Sequence, residues 1–206
     1  MPKGSTSYKD TKFGIVPRSK LVKLEIEGVK KGLEFIYKLS VKNKKIKITP
    51  ELIKKIHRIS FGWIFPKWAG KFRTIQVTFS EKEAPSYFKI NELVINLCLD
   101  LDEQIKHLPI ETSDKYLSEI IKLLAQFQHR FVFIHPFNDY NGRTARLLTT
   151  LLLLNFRLPL IEIKSSTKLD RKKYIRAMQE ADEGNYSNLE KLIATALEEG
   201  LQKFDK

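Results

Sequence analysis

Along most of the chain, apolar positions recur at the three-to-four-residue spacing of helices with one buried face. From Leu21 onward, Leu24, Gly28, Leu33, Phe35, Ile36 and Leu39 define one such stripe, with Lys and Glu on the opposite side. Thr49-Pro50-Glu51 offers a capping hydroxyl followed by proline at the first helical position, and predicts a helix running to Ile59. Further helices are predicted over 91–107, 113–132, 141–156 and 168–183, and a last one opens at Ser187-Asn-Leu-Glu190, a capping-box spacing. Between them, Phe61 to Gly70 crowds Trp63 and Trp68 among Gly and Pro and reads as a packed loop. Phe72-Arg-Thr-Ile-Gln-Val-Thr-Phe79 alternates as a strand does, 80–85 reads as a turn, and 86–90 as a short return strand. Residues 1–18 show no period and read as a flexible arm. The pattern predicts a mainly α fold with one inserted β-hairpin: an arm over 1–18, a helix and linker over 19–48, and a core over 49–206 that forms one globular unit with 19–48.

Composition narrows the class. A chain of 206 residues with 42% apolar and 30% charged residues suits one sizeable globular domain, without low-complexity stretches. The net charge of +13 calls for an anionic partner, although Lys is spread thinly and is densest only at Lys42-Asn-Lys-Lys-Ile-Lys47. The single Cys98 sits in an apolar run and reads as a small buried residue, so no disulfide can form within the chain. No apolar signal core opens the sequence, which predicts a cytoplasmic protein. Leu147 to Phe156 is far shorter than the roughly 20 apolar residues that cross a bilayer. His57 and His107 have no carboxylate or thiol at ligand spacing, which argues against zinc, and His129 reads as a hydrogen-bonded core histidine.

The chemistry concentrates in His135-Pro-Phe-Asn-Asp-Tyr-Asn-Gly-Arg-Thr-Ala-Arg146. Pro136 biases His135 away from helix, and a neutral imidazole is suited to take a proton from a hydroxyl near pH 7. Asp139 offers hard oxygen ligands of the kind Mg2+ takes when it also bridges phosphates. Asn141 and Gly142 open a helix, where free N–H groups and the helix dipole favour anions. Arg143 and Arg146 lie three apart on its first turn and can present forked donors to phosphate oxygens.

This segment resembles the Fic (filamentation induced by cyclic AMP) family motif, His-Pro-Phe-x-Asp/Glu-Gly-Asn-Gly/Lys-Arg-x-x-Arg, matching every specified position except Tyr140. The resemblance extends from about residue 20 to residue 200. Ala69-Gly-Lys-Phe-Arg-Thr-Ile-Gln-Val77 is similar to the lead into the family's flap hairpin, and Tyr174 with Ala181-Asp-Glu-Gly-Asn185 to the helices that close on adenine. It implies a Fic-type helical bundle with the flap as its inserted hairpin. It also implies a protein adenylyltransferase that moves AMP from ATP to a hydroxyl of a target protein. On that resemblance His135 is the general base and Asp139 holds Mg2+. Asn141, Gly142 and Arg143 form the anion hole, and Arg146 meets the γ-phosphate. Tyr140, Tyr174 and Asp182, with Phe79 and Ser80 of the flap, complete the nucleotide site. Val77, Thr78, Phe79, Ser80 and Glu81 pair with the target backbone as an added strand.

Two departures follow from the same comparison. Tyr140 stands where the family has Gly, which tolerates φ > 0 and close approach. Either the ring points away and the backbone keeps its shape, or it narrows the pocket and changes the transferred group to phosphate or phosphocholine. A third outcome is a non-catalytic interaction module. Lys23-Leu-Glu-Ile-Glu27-Gly28 keeps the Glu-Gly pair of the family's inhibitory helix but has Lys23 for its Ser or Thr. The resemblance implies that Glu27 salt-bridges Arg146 and competes with the γ-phosphate. The expected partners are a target protein with an acceptor Ser, Thr or Tyr, the chain itself in self-modification, and a second copy in a homodimer. A membrane is not expected, and a nucleic-acid reading would rest on charge alone.

Overall fold

The structure, a computed structural model, describes residues 9–43, 45–79, 82–161 and 167–203. Among them are seven helices: α1 (Arg18–Lys42), α2 (Pro50–Phe61), α3 (Ile90–Lys106), α4 (Tyr116–Ile134), α5 (Asn141–Asn155), α6 (Lys168–Asp182) and α7 (Ser187–Leu201). Two antiparallel hairpins accompany them, β1 (Lys9–Thr11) with β2 (Gly14–Val16), and β3 (Thr78–Phe79) with β4 (Lys82–Glu83). The mainly α architecture with an inserted flap is thus observed.

The main core gathers the apolar faces of α2 to α7, with Ile56, Val94, Leu124, Phe131, Leu148, Leu152 and Ile193 among its buried members. Burying such side chains is worth roughly 1.5–3 kcal/mol each. A second, aromatic cluster lies beside it: Phe61, Phe65 and Tyr140, with Trp63 and Trp68 packed against them. The Trp-bearing loop forms this cluster, which lies under the motif turn between α4 and α5.

Local chemistry accounts for the helix ends. The Thr49 hydroxyl accepts the Leu52 N–H at 3.2 Å, with Pro50 first in α2. Thr167 caps α6 in the same way through Asp170 N–H. The capping box expected at Ser187 does not form. Ser187 is already helical, Tyr186 occupies the cap position, and the Ser187 N–H goes to Asn185 Oδ1 at 3.2 Å.

The structure departs from the expected arm and from both expected strands. Residues 9–16, expected in a flexible arm, form the β1–β2 hairpin. Its strands are too short to show a period. They are held instead by Lys12 N–H on the Ile64 carbonyl at 2.8 Å and by Phe13 edge-on to Trp63. Of the strand expected over 72–79, only Thr78–Phe79 pairs, in register Thr78↔Glu83 and Phe79↔Lys82. The return strand is therefore Lys82–Glu83, while Tyr87–Lys89 form a 3-10 turn that leads into α3.

Candidate active site

Helix α4 delivers His135 and α5 begins at Asn141, so residues 135–140 form a six-residue turn between the two helices. Two of them, His135 (φ 51) and Tyr140 (φ 62), sit in the left-handed region. Each costs of order 1 kcal/mol or more for a residue with a Cβ, so the surroundings must hold the turn. Asn141, 1% exposed, is the internal brace: its Oδ1 accepts the Phe137 N–H and its Nδ2 donates to the Phe137 carbonyl, both at 2.9 Å. His57 on α2 is a second brace. Its Nδ1 accepts the Gly70 N–H at 2.9 Å, its Nε2 bonds the Asp139 carbonyl at 3.1 Å, and its ring stacks on Phe137. Burial pushes the His57 pKa down to about 4, so the neutral Nε2–H tautomer is the one these bonds require.

Arg73, 2% exposed, ties the flap to the same turn. Its Nε donates to the His135 carbonyl at 2.8 Å, its Nη1 to the Ile75 carbonyl, and its Nη2 to the Pro85 carbonyl. The backbone N–H of Arg73 bonds the Pro136 carbonyl at 2.9 Å. One side chain thus fixes the base of the flap against the motif.

His135 has the geometry of a base. Its Nδ1 lies 3.0 Å from the Val132 carbonyl, so Nδ1 carries the hydrogen and Nε2 keeps its lone pair. Burial lowers its pKa below the ordinary imidazole value, outweighing the bond to Val132. The Phe79 ring stacks on it at 4.2 Å and 12°. In front lies a cavity of about 430 Å3, bordered by His135, Asp139, the first turn of α5 with Arg143 and Arg146, and Tyr174. Burial depresses the pKa of Arg146 too, a cation pulled from water with an open cavity before it. Nη1 of Arg143 is buried with no hydrogen-bond partner among the described residues.

Tyr140 keeps the backbone left-handed, and its ring turns into the aromatic cluster, stacked on Phe61 at 4.3 Å. Tyr174 is buried and its hydroxyl accepts from Gln128 at 2.9 Å. Asp182 lies in an adjoining space of about 80 Å3, receiving Lys82 of the flap and His129 of α4. Phe79 and Tyr174 border both spaces. Val77 accepts the Ala84 N–H and Thr78 opens β3, whereas Ser80 and Glu81 lie outside the described residues.

Glu27 is not where the resemblance implied. It is half exposed and pairs with Lys31 on the outer face of α1. The carboxylate at the site is Glu25, 1% exposed, which receives Tyr140 Oη at 2.8 Å and Arg143 and Arg18 at 2.9 Å each. Leu21, Glu25, Gly28, Gly32 and Ile36 define the buried face of α1. Glu27 is two residues on from Glu25 and thus turned by some 200° about the helix axis. Glu25, Arg73 and His57 were missed from sequence. Their signals were a charged residue on an apolar stripe, an arginine in an alternating run, and a histidine on a helix that otherwise buries isoleucines.

The Fic/DOC family model matches residues 47–153, just over half of the chain, and the chain belongs to that family. It is 27% identical over 95% of its length to a protein adenylyltransferase Fic of Nematostella vectensis, covering 43% of that protein. It is 31% identical over 87% of its length to one of Aedes aegypti, covering 34% of that protein. It superposes on Fic-1 of C. elegans with a TM-score of 0.66 and 26% identity, covering 87% of this chain and half of that one. The chain spans less than half the length of these two curated relatives. Among the described residues, no helix is long and apolar enough to cross a membrane.

Proposed function

We propose that the protein is a protein adenylyltransferase, transferring AMP from ATP to a hydroxyl side chain of a target protein and releasing pyrophosphate. Membership of a family whose matched relatives carry that name supports the reading. The observation that carries it is the cavity itself, bordered by Arg143 and Arg146 on the first turn of α5 and by a His135 whose Nε2 keeps its lone pair. A cavity bordered by two arginines, the opening turn of a helix and a proton acceptor takes a phosphate chain and an attacking hydroxyl.

In the reaction, Nε2 of His135 accepts the proton of the target hydroxyl as its oxygen attacks the α-phosphorus, and the bond to the pyrophosphate oxygen breaks. The N–H groups opening α5, with Arg143 and Arg146, meet the charge that moves onto the phosphate oxygens. Tyr174 borders the adjoining space on the α6 side, where it would meet the nucleoside, with Asp182 beyond it. Main-chain pairing along β3 holds the target in line with the α-phosphorus. Because the Tyr140 ring packs into the aromatic cluster, AMP transfer is favoured over transfer of another phosphate-containing group.

Asp139 fits a divalent cation: a half-exposed carboxylate at the cavity rim, with no group of three or more His, Cys, Asp or Glu that could cage a metal among the described residues. Mg2+ is held in this way, by one or two carboxylates together with water and substrate phosphates. When bound there, it would be held by Asp139 and would supply positive charge against the phosphates. The lone thiol, Cys98, is buried and free.

The carboxylate of Glu25 occupies one fork of Arg143 and so competes with a phosphate for it, making Glu25 the autoinhibitory group in place of Glu27. The test is incubation with ATP labelled at the α- or the γ-phosphate, beside His135→Ala. Histidine-dependent retention of the α label on protein is expected. Retention of the γ label alone, or label independent of His135, would overturn AMP transfer.

A further inference from the structure

The N-terminal hairpin brings a cation to the site. Lys9, the first residue of β1, sets its ammonium on Oδ2 of Asp139 and lies 5.1 Å from the centre of the Tyr140 ring. The other oxygen of that carboxylate, Oδ1, accepts the Tyr140 N–H at 2.6 Å. Both oxygens of Asp139 are therefore engaged from within the chain, one by the motif's own backbone and one by a cation 130 residues earlier.

The hairpin that carries Lys9 is held by contacts that do not involve Asp139. Lys12 N–H bonds the Ile64 carbonyl, and Phe13 meets Trp63 edge-on. Thr11 Oγ1 closes the turn on the Gly14 carbonyl at 2.7 Å, and Asp10 pairs with Lys67. The ammonium is thus delivered by a docked strap rather than by a free chain end, which raises its effective concentration at the carboxylate.

Resting on the reading of Asp139 as the metal carboxylate, we infer that Lys9 is a built-in competitor of the divalent cation at that residue. An ammonium in contact with Oδ2 holds the position that an inner-sphere cation needs, and two positive charges cannot share it. The pair is displaceable, because the Lys9 and Asp139 side chains are 31% and 41% exposed, and ion pairs in that setting are weak. A doubly charged ion that also holds the substrate phosphates displaces a single charge. The cost is a reduced apparent metal affinity, set by the fraction of molecules in which Asp139 is free. Lys9 and Glu25 then guard opposite ends of one site, the cation position and the anion position.

The test measures Mn2+ binding directly, from the electron paramagnetic resonance of the free ion, with the non-hydrolysable analogue AMPPNP present. Lys9→Met removes the charge and keeps the aliphatic stem, and about fivefold tighter Mn2+ binding is expected. Lys9→Arg and Lys67→Met, the latter cutting only the strap's outer ion pair, are expected to bind as the parent does. Asp139→Asn keeps the acceptor for the Tyr140 N–H and should weaken Mn2+ binding whether Lys9 or Met is present. If Lys9→Met binds Mn2+ no more tightly than the parent while Asp139→Asn loses it, the competition is overturned and the metal reading stands. If Asp139→Asn binds Mn2+ as tightly as the parent, both are overturned.

Discussion

The phenol of Tyr140 donates to Oε1 of Glu25 at 2.8 Å, while Nη2 of Arg143 donates to Oε2 of the same carboxylate at 2.9 Å. A residue foreign to the family's turn thus clamps α1 to the first turn of α5. Its ring also stacks on Phe61. Tyr140→Phe keeps the stacking and removes one hydrogen bond to a buried charge, a loss of about 1.5–3 kcal/mol. A lower denaturation midpoint at unchanged slope is the expected result. A midpoint equal to the parent's would mean that the hydroxyl contributes nothing to the clamp.

If the Glu25 carboxylate holds Arg143 away from phosphate, removing it must raise turnover. Glu25→Gly and Glu27→Gly carry the same backbone cost in a helix interior, about 1 kcal/mol, so comparing them isolates the carboxylate. Self-labelling from α-labelled ATP is expected to rise about tenfold or more in Glu25→Gly, the scale of a coupling of 1–3 kcal/mol. In Glu27→Gly, whose carboxylate faces Lys31, labelling should stay at the parent's level.

The base form of His135 is the neutral one, so the rate must rise with pH through its pKa in the folded protein. Burial, with the Arg73 charge adding to it, sets that pKa below the ordinary value near 6.5. The acid limb of labelling against pH is therefore expected to have its midpoint below pH 6.5. Phe79 stacks on the imidazole and shields it. Phe79→Ala should move the midpoint up towards the ordinary value, and an unmoved midpoint would assign the depression to other neighbours.

How much of this was legible in the sequence differs by element. The helices and the motif were, because a 3.6-residue period and a twelve-residue string of unlike polar groups are local signals. The fate of Tyr140 is not legible, since nothing local says whether a ring at a glycine position finds a pocket. The pocket is made by Phe61, Phe65 and Trp68, up to 79 residues earlier. The Glu-Gly pairing points to Glu27 by resemblance, whereas the face of α1 is decided by Leu21, Gly28, Gly32 and Ile36 together and turns Glu25 inward. The β1–β2 hairpin and the pairing of Lys9 with Asp139 depend on contacts across the fold and leave no period to read.

His57 predicts how stability responds to acid. Its folded pKa is about 4, below the unfolded value near 6.5, so the unfolded chain binds the proton first. Its contribution is complete above pH 6.5 and is lost as pH falls towards 4, at up to about 1.4 kcal/mol per pH unit. Thermal midpoints should fall across this window, and less steeply in His57→Gln, which does not titrate. Parallel curves for the two proteins would remove His57 as the cause.

Gly28, the second half of the Glu-Gly pair, has a structural duty that the chemistry of the pair conceals. A Cβ at this position would come 2.3 Å from the Ser60 carbonyl oxygen and 3.5 Å from the Phe61 ring, and the nearest atom belongs to backbone that cannot swing aside. At Gly32, one turn on, the nearest atom is the Ser60 hydroxyl, also at 2.3 Å, with Leu147 at 2.9 Å. Helix α1 therefore crosses α2 at a distance only glycine permits, and that close crossing brings Glu25 within reach of Arg143. Gly28→Ala must push the helices apart, at a cost of about 1–3 kcal/mol, despite alanine's better helix propensity. Gly32→Ala meets a hydroxyl that can rotate and a leucine tip, and should cost less. The expected order of melting temperatures is parent, then Gly32→Ala, then Gly28→Ala, with the last also showing raised self-labelling as Glu25 withdraws. A Gly28→Ala protein as stable as the parent would show that the crossing has slack, and the positioning of Glu25 would then need another cause.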